Sequence, residues 1–268
     1  MIHPGHLTAA VDDLGLAGRP VMLHTSLRSF GTPVDADTVL DALLARGCTV
    51  VVPAFTEPQF SLRVSAGPAR NGVDYTTGPD RIPDGPAYTV DCGLINPHLG
   101  MLPAALIRRP GAVRGRHPLN SFAALGPQAA ELMAAQSPDD VYGPVRDLAD
   151  RDGAILLIGV GLNRMTALHL AEQRSGRRLF LRWARGEDGE IRTVEVGSCS
   201  EGFPRLEPAL RPFARTATVG ASLWRAYPAR QAVAAATAAI AADQDITRCT
   251  DQGCLLCRDA IAGGPQAP

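Results

Sequence analysis

The sequence predicts an α/β fold in a single domain that spans residues 1–268. Two apolar, strand-like segments at 20–24 and 48–53 flank a helix-like segment, which is the order of a βαβ unit. Residues 154–160 (A-I-L-L-I-G-V) are apolar throughout, as in a strand that is buried on both faces of a sheet. With 268 residues, 46% of them hydrophobic, and no internal repeat, one large core is the simplest arrangement.

The elements of the first half follow from helical spacing and turn residues. Apolar residues recur at helical spacing over 6–16 and predict a first helix. Between the two strands, Asp35 or Asp37 is placed to cap a helix that runs to Arg46. Past residue 100, the predicted helices cover 102–109, 127–135, 144–149, 165–174 and, in one long alanine-rich run, 219–242.

A hairpin is predicted in the second half of the chain. Strand-like runs at 179–184 and 191–196 are joined by a turn that contains the Asp188-Gly189 pair, which is typical of tight hairpins. By contrast, residues 54–100 are rich in Pro, Gly, Asp and Asn and show no sustained periodicity. A long insertion of this kind serves either as a substrate-contacting loop or as a tolerated surface insertion, and the sequence leaves both alternatives open.

The overall charge excludes several functional classes. All 26 basic residues are arginine, and 27 acidic residues bring the net charge to −1, which does not favour a polyanion-binding protein or a disordered chain. No apolar run approaches the roughly 20 residues that a membrane span needs. The N-terminus lacks the features of a secretory signal. We therefore expect a cytoplasmic protein without nucleic-acid or membrane partners.

One predicted helix carries a histidine and a carboxylate on the same face. Thr166, His169 and Glu172 lie three residues apart, just past the carboxyl end of the strand at 154–160. Open α/β sheets place their ligand crevice at such strand ends. A carboxylate makes the imidazole more basic, so that it can take a proton from a nucleophile. Spacing alone favours the plainer interpretation, a hydrogen-bonded histidine at the edge of the core, and a metal site lacks a third ligand nearby.

Two further segments have the chemistry of anion binding. Residues 24–31 (H-T-S-L-R-S-F-G) follow a strand, where exposed backbone N–H groups and Arg28 suit a phosphate or a carbonyl oxygen. Arg114, Arg116 and His117 form a second group that suits phosphates or a developing oxyanion. An ordinary tight turn and a solvated surface cluster are the respective alternatives.

Three cysteines lie close together near the C-terminus, in the pattern Cys249-x4-Cys254-x2-Cys257. A two-residue spacing lets both sulfurs bind one tetrahedral zinc ion, and four thiolates complete a structural site. Cys199 is the best candidate for the fourth ligand, and residues 249–257 are the predicted zinc-binding tail. Free thiols and a redox C-x-x-C are the alternatives, whereas disulfides are not expected in a cytoplasmic chain.

Taken in order, these motifs resemble the aminoglycoside 3-N-acetyltransferase family. The most specific parts are H-P-x-x-S-F from His117 to Phe122 and T-x-L-H-x-x-E from Thr166 to Glu172. The resemblance implies a three-layer α-β-α domain of the antibiotic N-acetyltransferase type. It also implies transfer of an acetyl group from acetyl-CoA to an amine of an aminoglycoside, by a monomer or a homodimer. Kasugamycin 2′-N-acetyltransferases resemble this family too, so either a 3-amino or a 2′-amino group is a candidate acceptor.

The resemblance also assigns roles to residues. His169 matches the family's catalytic histidine, and Glu195 and Glu172 are both candidates for its acidic partner, because Gly197 stands where some members carry an aspartate. Donor-binding residues are implied at His24, Thr25, Ser26, Leu27, Arg28, Gly31, Arg114, Arg116, His117, Ser121 and Phe122. A polycationic acceptor needs carboxylates, and the candidate acceptor contacts in the 54–100 insertion are Glu57, Asp74, Tyr75 and Asp80, with Asp84 and Asp91 as further acids.

Two other functions are consistent with the sequence. One is an acyl-CoA-dependent N-acyltransferase of natural-product biosynthesis with the same fold. The other is a protein without enzymatic activity, in which the cysteine tail serves as an interaction module. Acyl-CoA and acceptor panels separate the first from an aminoglycoside acetyltransferase, and a His169→Ala variant with unchanged acetylation would favour the second.

Overall fold

The computed structural model describes residues 2–64, 66–75 and 87–266. The α-helices are α1 (Pro4–Asp13), α2 (Ala36–Leu44), α3 (Met101–Ile107), α4 (Ala129–Ala134), α5 (Gly143–Asp150), α6 (Ala167–Arg174), α7 (Glu207–Leu210), α8 (Ala229–Ala242) and α9 (Leu255–Ile261). The strands are β1 (Pro20–Thr25), β2 (Thr49–Pro53), β3 (Ser61–Leu62), β4 (Val113–Arg114), β5 (Phe122–Leu125), β6 (Ala154–Ile158), β7 (Phe180–Arg185), β8 (Ile191–Val196), β9 (Arg215–Val219) and β10 (Ser222–Pro228).

A seven-stranded mixed sheet forms the centre of the molecule. Its strand order is β4-β5-β2-β1-β6-β10-β9, in which β2, β1 and β6 run parallel and the outer strands pair antiparallel. A second, three-stranded antiparallel sheet has the order β3-β7-β8 and contains the predicted hairpin. The α/β prediction is confirmed.

Alternate residues of the central strands supply two cores. Met22 and Leu157 point to one face, where α4, α5, α6 and α8 cover the sheet. Leu23 and Leu156 point to the other face, which packs against α1, α2 and α3. Because β1, β2 and β6 are buried on both faces, they are mostly apolar, and the polar residues of β1 and β2 (His24, Thr25 and Thr49) lie at the ends of these strands. The result is the three-layer α-β-α arrangement.

The parallel pairing of β1 with β6 brings two loops to the same edge of the sheet. His24 pairs with Leu157, and the Ser26 N–H donates to the Ile158 carbonyl at 2.9 Å. The turn after β1 and the segment after β6 therefore leave the sheet side by side. Gly159 adopts a φ of 62°, and a Cβ there would overlap the Ser29 side chain, so only glycine permits this approach.

The predicted single helix over 219–242 is wrong over residues 219–228. Residues 222–228 form β10, which pairs with both β6 and β9, and the helix α8 begins only at Ala229. Along β10, Ser222, Trp224 and Ala226 are buried while Leu223 is exposed, which is strand periodicity. Residues 222–228 contain only one alanine and carry Trp224 and Tyr227, which favour strands, so the alanine-rich composition that predicted a helix belongs to 229–242 alone.

The 54–100 insertion is largely irregular in its described part and is fastened at several points. Its short strand β3 joins the small sheet by pairing with β7. The Tyr88 hydroxyl donates to the Gly115 carbonyl at 2.7 Å, and Asp259 on α9 accepts from the Gly72 N–H at 2.8 Å. In the ranges that the structure describes, no helix combines the length and apolarity that crossing a bilayer requires.

Candidate active site

A cavity of about 850 Å³ opens at the edge of the sheet where β1 and β6 end. Four segments form its walls, at residues 23–28, 96–103, 159–166 and 196–200. Its position agrees with the general rule that open α/β sheets bind ligands beyond the carboxyl ends of their strands. His169, on the first turn of α6, lies in the wall of this cavity.

His169 forms a short hydrogen bond with a buried carboxylate. Its Nδ1 lies 2.7 Å from Oε2 of Glu172, and both side chains are at least nine-tenths buried. Because an ionised carboxylate only accepts hydrogen bonds, the proton of the neutral imidazole resides on Nδ1. Nε2 is then an unprotonated nitrogen that faces the cavity, as a general base requires.

Two further donors hold the Glu172 carboxylate. Arg177 Nη1 lies 2.6 Å from Oε1, and the Ser198 hydroxyl donates to Oε2 at 2.7 Å. Arg177 is itself fixed by the Thr247 hydroxyl at 2.8 Å and by the Gln244 carbonyl, to which it donates at 2.6 Å. The buried negative charge is thus compensated by a buried cation and by two neutral donors, counting His169.

Aromatic rings hold the His169 imidazole from two sides. Tyr142 is stacked on it with ring centroids 6.0 Å apart and planes 17° from parallel. Phe203 packs against it with centroids 4.8 Å apart and planes inclined by 60°. These two ring contacts and the hydrogen bond to Glu172 together restrict the orientation of the His169 imidazole.

Several polar atoms in the cavity wall lack hydrogen-bond partners within the described part of the chain. They are His24 Nε2, Thr25 Oγ1, Asn120 Oδ1 and Tyr142 Oη, and all four are buried. Buried polar atoms in folded proteins are nearly always paired. Four unpaired ones around one cavity therefore indicate a site that a polar ligand completes.

The cavity wall contains both cationic and acidic groups. Arg28 and Arg164 lie on the segments after β1 and β6, and Glu57 contributes a carboxyl group. Burial raises the pKa of Glu57, and Arg182 acts in the opposite direction. Burial, assisted by the charge of Arg164, lowers the pKa of His24 to about 3, so this imidazole is neutral at physiological pH.

The structure decides between the two candidate partners of His169. Glu172 contacts the ring, whereas Glu195 lies on β8 and does not line the cavity. Burial, followed by repulsion from Asp140 and Asp139, raises the pKa of Glu195 to about 7. Of the two candidates, Glu172 is thus the carboxylate that is hydrogen-bonded to His169.

The predicted donor-binding residues divide into two groups. The run from His24 to Arg28 lines the cavity, as expected. Gly31 does not line the cavity; it ends the turn after β1 with a φ of 72°. Ser121 donates to the Ala54 carbonyl at 2.7 Å, and Phe122 is buried in the core.

The basic group at 114–117 also lies away from the cavity. The guanidinium of Arg114 is buried and donates to four groups: the Ser121 hydroxyl and the carbonyls of Ala54, Cys92 and Leu94. Arg116 is exposed and forms an ion pair with Glu187. His117 Nδ1 accepts backbone N–H bonds from residues 119 and 120, and burial lowers the pKa of His117 to about 4. None of these three residues lines the cavity, and the polar groups of Arg114 and of His117 Nδ1 are used by contacts within the fold.

The predicted acceptor contacts are only partly brought together. Glu57 lines the cavity, but Asp74, Tyr75 and Asp91 do not. Tyr75 packs edge-on against Trp183, with ring centroids 6.0 Å apart. Asp80 and Asp84 lie outside the described residues.

Sequence reasoning missed several polar residues of the cavity wall, which are Asn96, His98, Asn120, Tyr142, Asn163, Arg164, Ser198 and Ser200. Asn163 and Arg164 directly follow the strongest predicted strand, so the strand-end rule that selected residues 24–31 would also have selected them. Asn120 lies within the H-P-x-x-S-F motif, and the others come from separate parts of the chain.

The four predicted metal ligands come together next to the cavity wall, because Cys199 lies between Ser198 and Ser200, which line the cavity. The Sγ atoms of Cys199, Cys249, Cys254 and Cys257 all lie within 4.8 Å of one another. Two backbone N–H groups point at these sulfurs, from Cys249 to Cys257 at 3.4 Å and from Cys257 to Cys254 at 3.5 Å. Such N–H···S contacts favour the thiolate form that binds metal.

Comparisons with known proteins agree on one family. Residues 22–241 match the family model described as aminoglycoside 3-N-acetyltransferase. The chain is 40% identical over 174 residues to aminoglycoside N(3)-acetyltransferase IX of Micromonospora chalcea. This match covers 60% of this chain and 58% of that protein. It is 34% identical over 181 residues to aminoglycoside N(3)-acetyltransferase VIII of Streptomyces fradiae, over 64% and 60% of the two chains. The matches therefore span about three fifths of these relatives.

Solved structures resemble the whole fold. The apoenzyme structure of aminoglycoside acetyltransferase AAC(3)-IVa has a TM-score of 0.76 at 25% identity, over 98% of this chain and 97% of that one. The same enzyme with one histidine replaced by alanine, in complex with a gentamicin, gives the same score, identity and coverage. AAC(3)-Xa has a TM-score of 0.72 at 28% identity, over 90% and 93% of the two chains.

Proposed function

The chain belongs to the aminoglycoside 3-N-acetyltransferase family, and we propose that it transfers the acetyl group of acetyl-CoA to an amine of an aminoglycoside. The observation that supports this most directly is the His169–Glu172 pair in the wall of the cavity at the ends of β1 and β6. A general base at this point suits attack by an amine on a thioester. Acetylation of the amine would inactivate the aminoglycoside, so we propose an antibiotic-inactivating enzyme.

His169 is the proposed general base. The acceptor nitrogen attacks the thioester carbonyl carbon while Nε2 of His169 takes a proton from it. The carbonyl electron pair moves to oxygen, and its return reforms the carbonyl and breaks the C–S bond. The thiolate that leaves takes the proton from Nε2, which restores the base. Glu172 holds the ring in the required tautomer and stabilises the imidazolium between these two events.

The donor is proposed to lie along the segments after β1 and β6. The unpaired Thr25 hydroxyl and the neutral His24 suit the polar pantetheine chain. Arg28 and Arg164 offer positive charge to phosphates. Arg114, Arg116 and His117 have no part in this arrangement.

The acceptor is proposed to bind beside Glu57 and Asn96. A carboxylate and amide oxygens suit a sugar that carries ammonium and hydroxyl groups. The 3-amino group is the first candidate, because the relatives are named N(3)-acetyltransferases. The 2′-amino group of kasugamycin is the second candidate.

The test is product identification with a panel of acceptors. The protein is incubated with acetyl-CoA and individual aminoglycosides, kasugamycin included, and thiol release, product mass and product NMR are recorded. We expect one acetyl group on one amine, and a His169→Ala variant with a normal melting temperature that has lost most of its turnover. Preference for another acyl-CoA and a non-aminoglycoside acceptor would instead support a biosynthetic acyltransferase. An active His169→Ala variant would remove the proposed base.

We also propose that the cysteine cluster holds one structural zinc ion. Tetrahedral zinc with four sulfur ligands places the sulfurs about 3.8 Å apart, which is compatible with the observed cluster. All six cysteines are free thiols. Because thiolate ligands of a metal persist only where thiols stay reduced, we propose the cytoplasm as the compartment of this protein. We expect about one zinc per chain, and loss of that zinc together with a lower melting temperature in Cys257→Ser. Purified wild-type protein without zinc would refute the site.

A further inference from the structure

We propose that the hydroxyl group of Tyr142 contributes to catalysis by donating a hydrogen bond to the thioester carbonyl oxygen as negative charge develops on it. This inference rests on the proposed acetyl transfer and adds a residue that the family motifs did not indicate. Tyr142 immediately precedes α5 and lies in the cavity wall beside the general base.

The first observation is that this hydroxyl is buried and unpaired. Tyr142 is 1% exposed, and its Oη has no hydrogen-bond partner among the described residues. An unpaired buried hydroxyl destabilises a folded protein, and Tyr142 carries one at a cavity wall, where a ligand can supply the missing partner. Its ring stacks on His169, and both residues line the cavity.

The second observation is the space that Gly197 leaves. A Cβ on residue 197 would lie 2.5 Å from Tyr142 Oη and 2.9 Å from the His169 ring carbons. No side chain fits there while both rings keep their positions. Gly197 stands where some family members carry an aspartate, so the tyrosine hydroxyl and the imidazole together occupy the room that a larger residue would need.

The protonation state of Tyr142 suits a donor. Burial, assisted by the negative charges of Glu172 and Glu195, raises the pKa of Tyr142 well above its ordinary value. The phenol therefore stays protonated through the working pH range. It does not compete with His169 for the proton of the amine.

The hydrogen bond would act in one defined step. When the amine nitrogen bonds to the carbonyl carbon, the C=O electron pair moves to oxygen, and the amine proton goes to His169 Nε2. The phenol O–H stabilises the resulting oxyanion without transferring its own proton. As the C–S bond breaks, the carbonyl reforms, the thiolate takes the proton from His169, and the hydrogen bond weakens. Stabilisation is thus largest where charge is largest, which is the condition for a catalytic effect.

The test is Tyr142→Phe, which keeps the stacked ring and removes only the hydroxyl. With acetyl-CoA and the aminoglycoside that the wild type turns over best, we expect kcat to fall about 100-fold. The KM of acetyl-CoA should change less than threefold, and the melting temperature should stay equal or rise because a buried unpaired group is gone. A purely structural role would instead lower the melting temperature and leave kcat within twofold.

A double-mutant cycle with Gly197→Ala provides the second measurement. The added methyl group displaces the hydroxyl and crowds the His169 ring, but the effect on His169 is common to both backgrounds and cancels in the cycle. We therefore expect this substitution to reduce kcat at least fivefold more in the Tyr142 background than in Tyr142→Phe. Strictly additive effects, or a Tyr142→Phe variant that only raises the KM of the acceptor, would refute the inference while the acetyltransferase function stands. A wild type that acetylates no aminoglycoside would overturn both.

Discussion

Replacing Glu172 by glutamine tests how the base is held in its working tautomer. The carboxylate accepts from three donors: His169 Nδ1 and the Ser198 hydroxyl at Oε2, and Arg177 at Oε1. An amide has only one oxygen, and the fixed charge of Arg177 draws that oxygen to itself. The NH₂ group then faces His169, whose Nδ1 has to accept. The proton moves to Nε2, and the nitrogen that faces the cavity is no longer a base.

The size of the effect follows from the cost of the opposite amide orientation. The productive tautomer requires the NH₂ group to face Arg177, which forfeits a hydrogen bond to a charged group worth about 1.5–3 kcal/mol. It also leaves a buried donor unpaired, at about 1–3 kcal/mol more. Since each 1.36 kcal/mol is tenfold in rate, kcat should fall about 100- to 10,000-fold. Thiol release at saturating acetyl-CoA and aminoglycoside measures it.

Two variants control this experiment. Ser198→Ala removes one bond to Glu172 but leaves the tautomer unchanged, so its kcat should stay within about tenfold of wild type. Adding Arg177→Met to Glu172→Gln removes the charge that fixes the amide, and the double variant should recover at least about tenfold over Glu172→Gln alone. A Glu172→Gln enzyme within tenfold of wild type, or a double variant with no recovery, would refute the tautomer argument.

Two further predictions concern stability and donor binding. Folding raises the pKa of Glu195 from its ordinary value of 4.5 to about 7, so its contribution to stability is complete below pH 4.5 and is lost as the pH rises through about 7. Glu195→Gln should therefore flatten the fall in melting temperature between pH 4.5 and 7. An unchanged pH profile of the melting temperature would contradict the shift. Arg164→Met should raise the KM of acetyl-CoA about tenfold while kcat changes less than threefold. The KM of acetyl-CoA for the wild type should rise with salt concentration, as expected for phosphate contacts. A wild-type KM that does not depend on salt would argue against Arg164 as a phosphate ligand.

The sequence was most informative where neighbours along the chain are also neighbours in space. His169 and Glu172 lie three residues apart on one helix, so their contact is a property of the helix itself. The strands β1 and β6 are buried on both faces, and their unbroken apolar runs make them recognisable. The spacing of Cys254 and Cys257 likewise allows both sulfurs to meet at one point.

Prediction failed where the partners are distant in the chain. Arg114 has the composition of an anion site, but its donors are used by carbonyls of the 54–100 insertion, which no local pattern indicates. Tyr142 and Ser198 reach the site from separate loops and have no spacing relative to His169. The strand β10 was missed because the helical prediction for the alanine-rich residues 229–242 was extended over the preceding residues, whose pairing with β6 and β9 no local pattern indicates.

The cysteine cluster fastens the end of the chain to a loop of the active site. Cys199 directly follows Ser198, whose hydroxyl bonds to Glu172, while its three companions belong to residues 249–257. Oxidants or thiol-reactive electrophiles that reach these sulfurs would thus loosen the support of the catalytic base from a distance. Deletion of residues 249–268 would act in the same way, because it severs three of the four tethers.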